Sequence, residues 1–286
     1  MKRMFIAKNI GFCFGVKRAV ETAEKLLEEI PQLYTIGDIV HNPLVIERLK
    51  KKGLIICSSV KDVKGDYFLV RSHGLPKKEL EELKKNNKKI FDMTCPFVKK
   101  IHHYVENFIK RGYHIIIIGN KTHPEVLGIK SCGEKIDVLE DKVDFEKIKS
   151  KRLKKVVVIG QTTLNFNDYL QVVKDIVKKI DVKEILVINT ICKVTEEREK
   201  ESMEIAKRVD AVFVLGSKES SNTRKLYETC RKFCSNTFYV ENFLDLCKIN
   251  LNKFKNIGIV SGTSTPNFFI NDVIEYFRKK KYEEVK

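Results

Sequence analysis

Residues 12–27 read Phe12-Cys13-Phe14-Gly15-Val16-Lys17-Arg18-Ala19-Val20-Glu21-Thr22-Ala23-Glu24-Lys25-Leu26-Leu27. Val16, Ala19, Val20, Ala23 and Leu27 recur at three- and four-residue spacing, the period of one buried helix face. The apolar run Met4–Ala7 stands just ahead, too short for a helix and suited to a strand. Strand, cysteine-bearing loop and amphipathic helix in that order are the opening of a parallel α/β unit.

Working outward, the same order returns twice. Cys95 follows Ile90–Phe91 and opens a segment with Phe97, Ile101, Tyr104 and Phe108 at helical spacing, and Cys192 follows Ile185–Ile188 and opens the more charged segment Val194–Val209. A glycine lies 24 residues past each cysteine (Gly37, Gly119, Gly216), directly after the apolar stretches Leu33–Ile36, Ile115–Ile118 and Ala211–Leu215. At 28 residues stand His41, His123 and Ser220. A further strand then ends near another polar group: Tyr67–Val70 before His73, Val156–Ile159 before Thr162 and Thr163, and Ile257–Val260 before Ser264. This self-similarity predicts an α/β protein of three similar units with largely parallel sheets, spanning 1–95, 96–192 (opened by Cys95) and 193–286 (opened by Cys192).

Composition narrows the setting. The chain has 286 residues and is 43% hydrophobic, enough for sizeable cores. Its purely apolar runs, such as Ile115–Ile118 and Val156–Ile159, fall far short of the roughly 18 residues of a membrane span, so a soluble protein is expected. Residues 1–9 lack the sustained apolar stretch of a leader, which makes the cytoplasm the expected compartment and keeps the eight cysteines as thiols. The net charge of +17 favours polyanions, anionic surfaces or phosphorylated small molecules. Basic residues are scattered in short groups such as Lys50–Lys52 and Lys279–Lys281, with no zinc-finger spacing or RNA-binding aromatic signature, which argues for a solvated face against nucleic-acid binding.

In parallel sheets the carboxyl ends of strands and the amino ends of the following helices share one edge, where loops and unpaired N–H groups hold ligands, anions above all. The repeated residues are all expected there. Were the three units to face one another about a pseudo-threefold axis, three thiols would meet at a central cavity. Three cysteine ligands fit either zinc completed by a fourth ligand or an iron–sulfur cluster with one iron lacking a protein thiolate. Their wide separation, 82 and 97 residues, disfavours a structural zinc motif. Cys57, Cys132 and Cys247 lack the repeated context, and Cys230 and Cys234 are expected in a helix near the surface; all five read as structural thiols.

His102 and His103 fall on the helix after Cys95, and His114 starts a strand, which assigns them structural roles. His41, His73 and His123, with Thr162, Ser220 and Ser264, would surround one cavity with donors suited to a polyphosphate. Glu125, two residues past His123, is the candidate acid, because a carboxyl facing bound anions holds its proton more tightly; a surface salt bridge is the alternative. A polyanion- or RNA-binding module and a zinc hydrolase remain open at this point.

The chain also resembles the 4-hydroxy-3-methylbut-2-enyl diphosphate reductase family, from end to end. The resemblance is carried by Gly11-Phe12-Cys13-Phe14-Gly15-Val16, Ile39-Val40-His41-Asn42, Ser72-His73-Gly74, Thr94-Cys95-Pro96, His123-Pro124-Glu125-Val126, Gln161-Thr162-Thr163-Leu164, Thr190-Ile191-Cys192, Ser220-Ser221-Asn222 and Gly262-Thr263-Ser264. It implies a trefoil of three α/β domains around a [4Fe-4S] cluster held by Cys13, Cys95 and Cys192, with one iron lacking a protein ligand. It implies that His41, His73, His123, Ser220, Ser221, Asn222 and Ser264 hold the diphosphate of an allylic substrate, with Glu125 as proton source, Thr162 as relay at the hydroxyl end and Thr163 beside them. The implied reaction is a two-electron reductive dehydroxylation to isopentenyl or dimethylallyl diphosphate, the last step of the non-mevalonate isoprenoid pathway. The basic surface would suit a ferredoxin or flavodoxin type electron donor. Arg71-Ser72, Thr122 and Thr265-Pro266-Asn267 depart from the family's pattern and bear on pocket shape, without removing a ligand. The chain is expected to leave no room for the RNA-binding modules appended in some bacterial relatives.

Overall fold

The computed structural model describes residues 1–285. The chain opens with β1 (Lys2–Ile6) and α1 (Phe14–Glu29), followed by β2 (Leu33–Ile36), α2 (Pro43–Lys51), β3 (Leu54–Cys57), β4 (Tyr67–Val70), α3 (Lys77–Lys85) and β5 (Lys89–Asp92). The middle of the chain supplies α4 (Pro96–Lys110), β6 (His114–Ile118), α5 (Pro124–Lys130), β7 (Ile136–Leu139), α6 (Lys142–Lys149), β8 (Lys155–Gly160), α7 (Phe166–Lys179) and β9 (Glu184–Val187). The remainder forms α8 (Lys193–Ala206), β10 (Ala211–Leu215), α9 (Ser221–Arg231), β11 (Thr237–Val240), α10 (Phe243–Cys247), β12 (Asn256–Ser261), α11 (Asn267–Lys279) and β13 (Tyr282–Val285).

These strands make three sheets, ordered β3-β2-β4-β5, β7-β6-β8-β9 and β11-β10-β12-β1-β13, and every pairing among the described residues is parallel. The plan is the same each time. The first strand to follow a cysteine helix is flanked by its successor on one side and by the third strand on the other, with a fourth strand beyond. That fourth strand (β5, β9 or β1) is the one that leads into the next cysteine, so each cysteine and its helix carry the chain out of one sheet. The C-terminal sheet takes its fourth strand from the N-terminus, with Phe5 beside Gly258, and sheet membership thus departs from sequence thirds at β1.

The central strands β6, β8, β10 and β12 are buried on both faces, as parallel sheets covered by helices require. In β6 and β8 the two-residue alternation sends Ile115, Ile117, Val157 and Ile159 into one cluster and Ile116, Ile118, Val156 and Val158 into the other. Complete burial of each such side chain is worth roughly 1.5–3 kcal/mol. The third sheet divides likewise: Met4, Phe213, Leu215 and Ile259 pack on one face, and Val212, Val214 and Val260 on the other.

By contact density the chain separates into two compact units, one of Met1–Val20, Val40–Lys51 and Lys193–Lys286, the other of Glu21–Ile39 and Lys52–Cys192. The first holds the five-stranded sheet and the second holds both four-stranded sheets.

The three repeat glycines end β2, β6 and β10, and each N–H donates to the last residue of the adjoining strand: Gly37 to Cys57 O (3.0 Å), Gly119 to Leu139 O (3.1 Å) and Gly216 to Val240 O (3.0 Å). Their physical reasons differ. Gly37 and Gly216 have φ of +65° and +129°, which side chains rarely adopt, whereas at Gly119 a Cβ would stand 2.8 Å from the Cβ of Gln161.

Candidate functional site

Each cysteine of the repeat is pinned the same way. Its backbone N–H donates to the loop after the third strand of its sheet: Cys13 to Thr263 O (3.1 Å), Cys95 to Ser72 O (2.9 Å) and Cys192 to Thr162 O (2.8 Å). Each sits at the start of a helix, directly before Phe14, Pro96 or Lys193, where the N-terminal dipole favours negative charge. All three are half-buried, whereas Cys57, Cys230 and Cys234 are buried. Cys230 and Cys234 are therefore not near the surface as expected: Cys230 packs under α8, its thiol against Ser202 O, and burial pushes it up to about 12.

In the unit that holds both four-stranded sheets, β6, β8 and α5 build a buried carboxyl site. His123 caps α5 with its side chain, Nδ1 accepting from Glu125 N at 3.3 Å. That bond leaves the proton of a neutral imidazole on Nε2, which makes Nε2 a donor. The cap also turns Glu125 inward. At 1% exposure Glu125 is no surface salt bridge: its Oε1 accepts from Thr162 N (2.7 Å) and its Oε2 from Thr162 Oγ1 (2.6 Å). Desolvation by burial raises the carboxyl above its ordinary value, and the two Thr162 donors oppose this without reversing it.

His73 and His123 meet edge to face, with ring centroids 5.3 Å apart. Thr163 Oγ1 accepts from Gln161 Nε2 at 2.8 Å, which orients the hydroxyl next to Thr162. His102, expected to be structural, packs its ring against Gly74 and Gly128, just past His73 and His123, and burial lowers its basicity.

The other unit repeats the frame with different groups. Ser220 caps α9, its side chain accepting from Thr223 N at 3.4 Å, as His123 caps α5. Asn222, two residues on, accepts from Thr263 N at 2.9 Å, as Glu125 accepts from Thr162 N. Asn222 thus occupies the place of Glu125, with a carboxamide in place of a carboxyl. Asn222 and Ser264 are buried, at 2% and 4% exposure, yet Asn222 Nδ2 and Ser264 Oγ have no hydrogen-bond partner among the described residues. Buried donors are normally satisfied, so two left over beside a helix start are a donor pair that could hold an anionic ligand. Ser221 is the first residue of α9 and half-buried. His41 is half-buried and precedes Asn42, whose side chain accepts from Leu44 N (3.1 Å) at the start of α2. The cap slips by one residue here, and His41 stands beside the capping position that His123 and Ser220 fill.

Sequence reasoning missed Arg198. It lies on α8, whose buried stripe of Thr195, Arg198, Ser202 and Ala206 is polar except for Ala206. The three- and four-residue spacing of that stripe was the available signal, obscured by the charge of the segment around it.

The fold and these groups define a class: an α/β protein whose parallel sheets present thiols, imidazoles and hydroxyls at strand ends. The model of the LytB protein family matches residues 4–278, and the chain belongs to that family. It is similar to the 4-hydroxy-3-methylbut-2-enyl diphosphate reductase of Thermoanaerobacter sp. (strain X514), with 39% identity over 99% of both chains. It is 40% identical to the reductase of the same name from Dictyoglomus thermophilum over 96% of both. The solved structure of (E)-4-hydroxy-3-methyl-but-2-enyl diphosphate reductase, the terminal enzyme of the non-mevalonate pathway, superposes with a TM-score of 0.72 at 35% identity, covering 98% of this chain and all of the other. The E-1-hydroxy-2-methyl-but-2-enyl-4-diphosphate reductase of Plasmodium falciparum gives 0.87 at 30% identity, covering 96% of this chain and 87% of that one.

Proposed function

We propose that this chain is an oxidoreductase that converts (E)-4-hydroxy-3-methylbut-2-enyl diphosphate to isopentenyl and dimethylallyl diphosphate, the last step of the non-mevalonate pathway. The observation that carries the reading is the identical seating of Cys13, Cys95 and Cys192 in a chain that matches reductases over its whole length. Three half-buried thiols at helix starts are a donor set that fits an iron–sulfur cluster. In this reading they hold a [4Fe-4S] cluster, and one iron is left without a protein ligand. When bound, the cluster would relay, one at a time, the two electrons that the donor protein supplies, which with two protons allow the allylic hydroxyl to leave as water. We read the three sheets, with boundaries near 95 and 192, as variants of one repeat that delivers one cysteine each.

The chain's own residues bind, orient and move protons. His41, His73, His123, Ser220, Ser221, Asn222 and Ser264 are assigned to the diphosphate; His123 Nε2 and Asn222 Nδ2 are donors held by bonds on their other side. Glu125 is the proton source. When its raised carboxyl holds the proton, the 2.6 Å bond to Thr162 reverses: Glu125 donates to Thr162 Oγ1, whose own O–H is released to donate onward. Thr162 is thereby the relay, and Thr163 orders the same loop.

The named relatives are reductases, which favours this reading over a zinc hydrolase or a polyanion-binding module. Among the described residues no helix is long and apolar enough to cross a membrane. We assign the enzyme to the cytoplasm, with a ferredoxin or flavodoxin type protein as electron donor and no nucleic-acid partner. The test is iron and sulfide quantitation with turnover of the diphosphate substrate on anaerobically prepared protein. Brown protein with iron, sulfide and turnover supports the reading; colourless active protein, or zinc without sulfide, overturns it.

A further inference from the structure

Arg198 is 4% exposed in the middle of α8, and its guanidinium spans two loops of the same compact unit. Nη2 donates to Gly11 O at 2.7 Å and Nη1 to Ser261 O at 3.1 Å. The two loops are also bonded to each other: Gly11 N donates to Ser261 Oγ at 2.8 Å, and two residues further on Cys13 N donates to Thr263 O. Gly11 takes φ of +85°, a conformation open to glycine, so its carbonyl is turned where other residues would not hold it. A buried arginine is retained only where its charge is compensated by well-aligned acceptors, and the planar fork meets two carbonyls with separate nitrogens in a fixed geometry that a lysine's single ammonium does not reproduce.

We infer that Arg198 is a positioning residue that locks the Cys13 loop to the Ser264 loop and places a fixed positive charge behind both. Through Gly11 it sets the backbone that presents the Cys13 thiol. Through Ser261 it sets the turn that presents Ser264 and lets Thr263 N reach Asn222. The consequence for catalysis rests on the function proposed above; the consequence for the loops does not. Cys95 and Cys192 have equivalent amide bonds to Ser72 and Thr162, outside the pair of loops that Arg198 is inferred to lock, so their amides are the comparison.

The experiment compares the full-length protein with Arg198→Met, Arg198→Gln and Arg198→Lys. Amide hydrogen exchange is read at Gly11, Cys13, Cys95 and Cys192. Arg198→Met should accelerate exchange at Gly11 and Cys13 by about 10-fold or more, as expected for loss of hydrogen bonds to a charged group, with Cys95 and Cys192 unchanged. Arg198→Gln should resemble it, and Arg198→Lys should recover part of the protection. On anaerobically prepared protein, the neutral variants should show a raised KM for the diphosphate substrate and a more negative midpoint potential than wild type, with Arg198→Lys nearer wild type in potential. If Arg198→Met does not fold, the Gln and Lys variants carry the same comparison. Equal exchange at all four amides, or faster exchange at all four, overturns the inference. Wild-type protein that binds no iron and sulfide defeats the proposed function, yet leaves the amide comparison to decide the role of Arg198.

Discussion

The strand edge at 160–164 and the one at 261–265 share a backbone plan and bury opposite kinds of group. Gln161 N bonds Ile118 O as Gly262 N bonds Leu215 O, and Leu164 N closes a turn onto Gln161 O as Thr265 N does onto Gly262 O. Against the first edge lies the carboxyl of Glu125; against the second, at the same distance past the helix cap, lies the amide of Asn222. A carboxyl raised by burial exchanges a proton. A carboxamide cannot, and it offers a permanent donor to an anion. In the proposed function, one scaffold would thus assign proton transfer to one edge and anion binding to the other by changing a single functional group.

The largest effect should come from removing what the edges have in common. Cys13→Ser or Cys192→Ser should abolish the visible absorption of the anaerobic protein and its turnover together, read by iron content and assay; full activity in either would break the equivalence of the repeats. Glu125→Gln, which makes the first edge resemble the second, should lower turnover by roughly 10²-fold or more. Its KM should stay close to wild type, and steady-state kinetics separate the two. The wild-type turnover should also decline as pH rises through the raised value of Glu125, because the proton-bearing form is the active one.

Asn222→Asp performs the reverse exchange. It places a carboxylate against the diphosphate, and substrate affinity measured by calorimetry should fall further than in Asn222→Ala, which loses one hydrogen bond to a charged group, about 1.5–3 kcal/mol. His41→Ala should weaken binding by about the same amount as Asn222→Ala, with a smaller effect on turnover.

The smallest effect concerns stability. The folded-state value of Glu125 is raised above the unfolded one, so its proton stabilises the fold below the ordinary glutamate range, and that contribution is lost as pH rises through the folded value. Denaturant melts should show wild type losing stability relative to Glu125→Gln over that interval. Parallel pH profiles would mean that Glu125 is not shifted.

Much of this was legible in the chain itself. Runs such as Ile115–Ile118 declare strands buried on both faces, because a β-branched stretch of that length, covered by helices, has no polar side to present. The three cysteines, the glycines 24 residues on and the polar groups past the next strands were readable as a repeat because each turn calls for glycine, at 37 and 216 for its φ and at 119 for want of room beside Gln161. Side-chain surroundings were less accessible. Glu125 carried a surface salt bridge as its alternative, and Cys230 and Cys234 were expected near solvent, since a helix period does not say which face is covered.

Sequence alone determined the repeated strands and cysteine helices, their largely parallel pairing and the chemical types at the strand ends, because these follow from local periodicity and from repeated spacing. Tertiary structure decided that β1 completes the C-terminal sheet, that Glu125 is dry and faces Thr162, that Asn222 is its counterpart, and that Arg198 ties Gly11 to Ser261. Those facts depend on bonds between residues tens to hundreds of positions apart, and they form only when burial removes water as the competing partner.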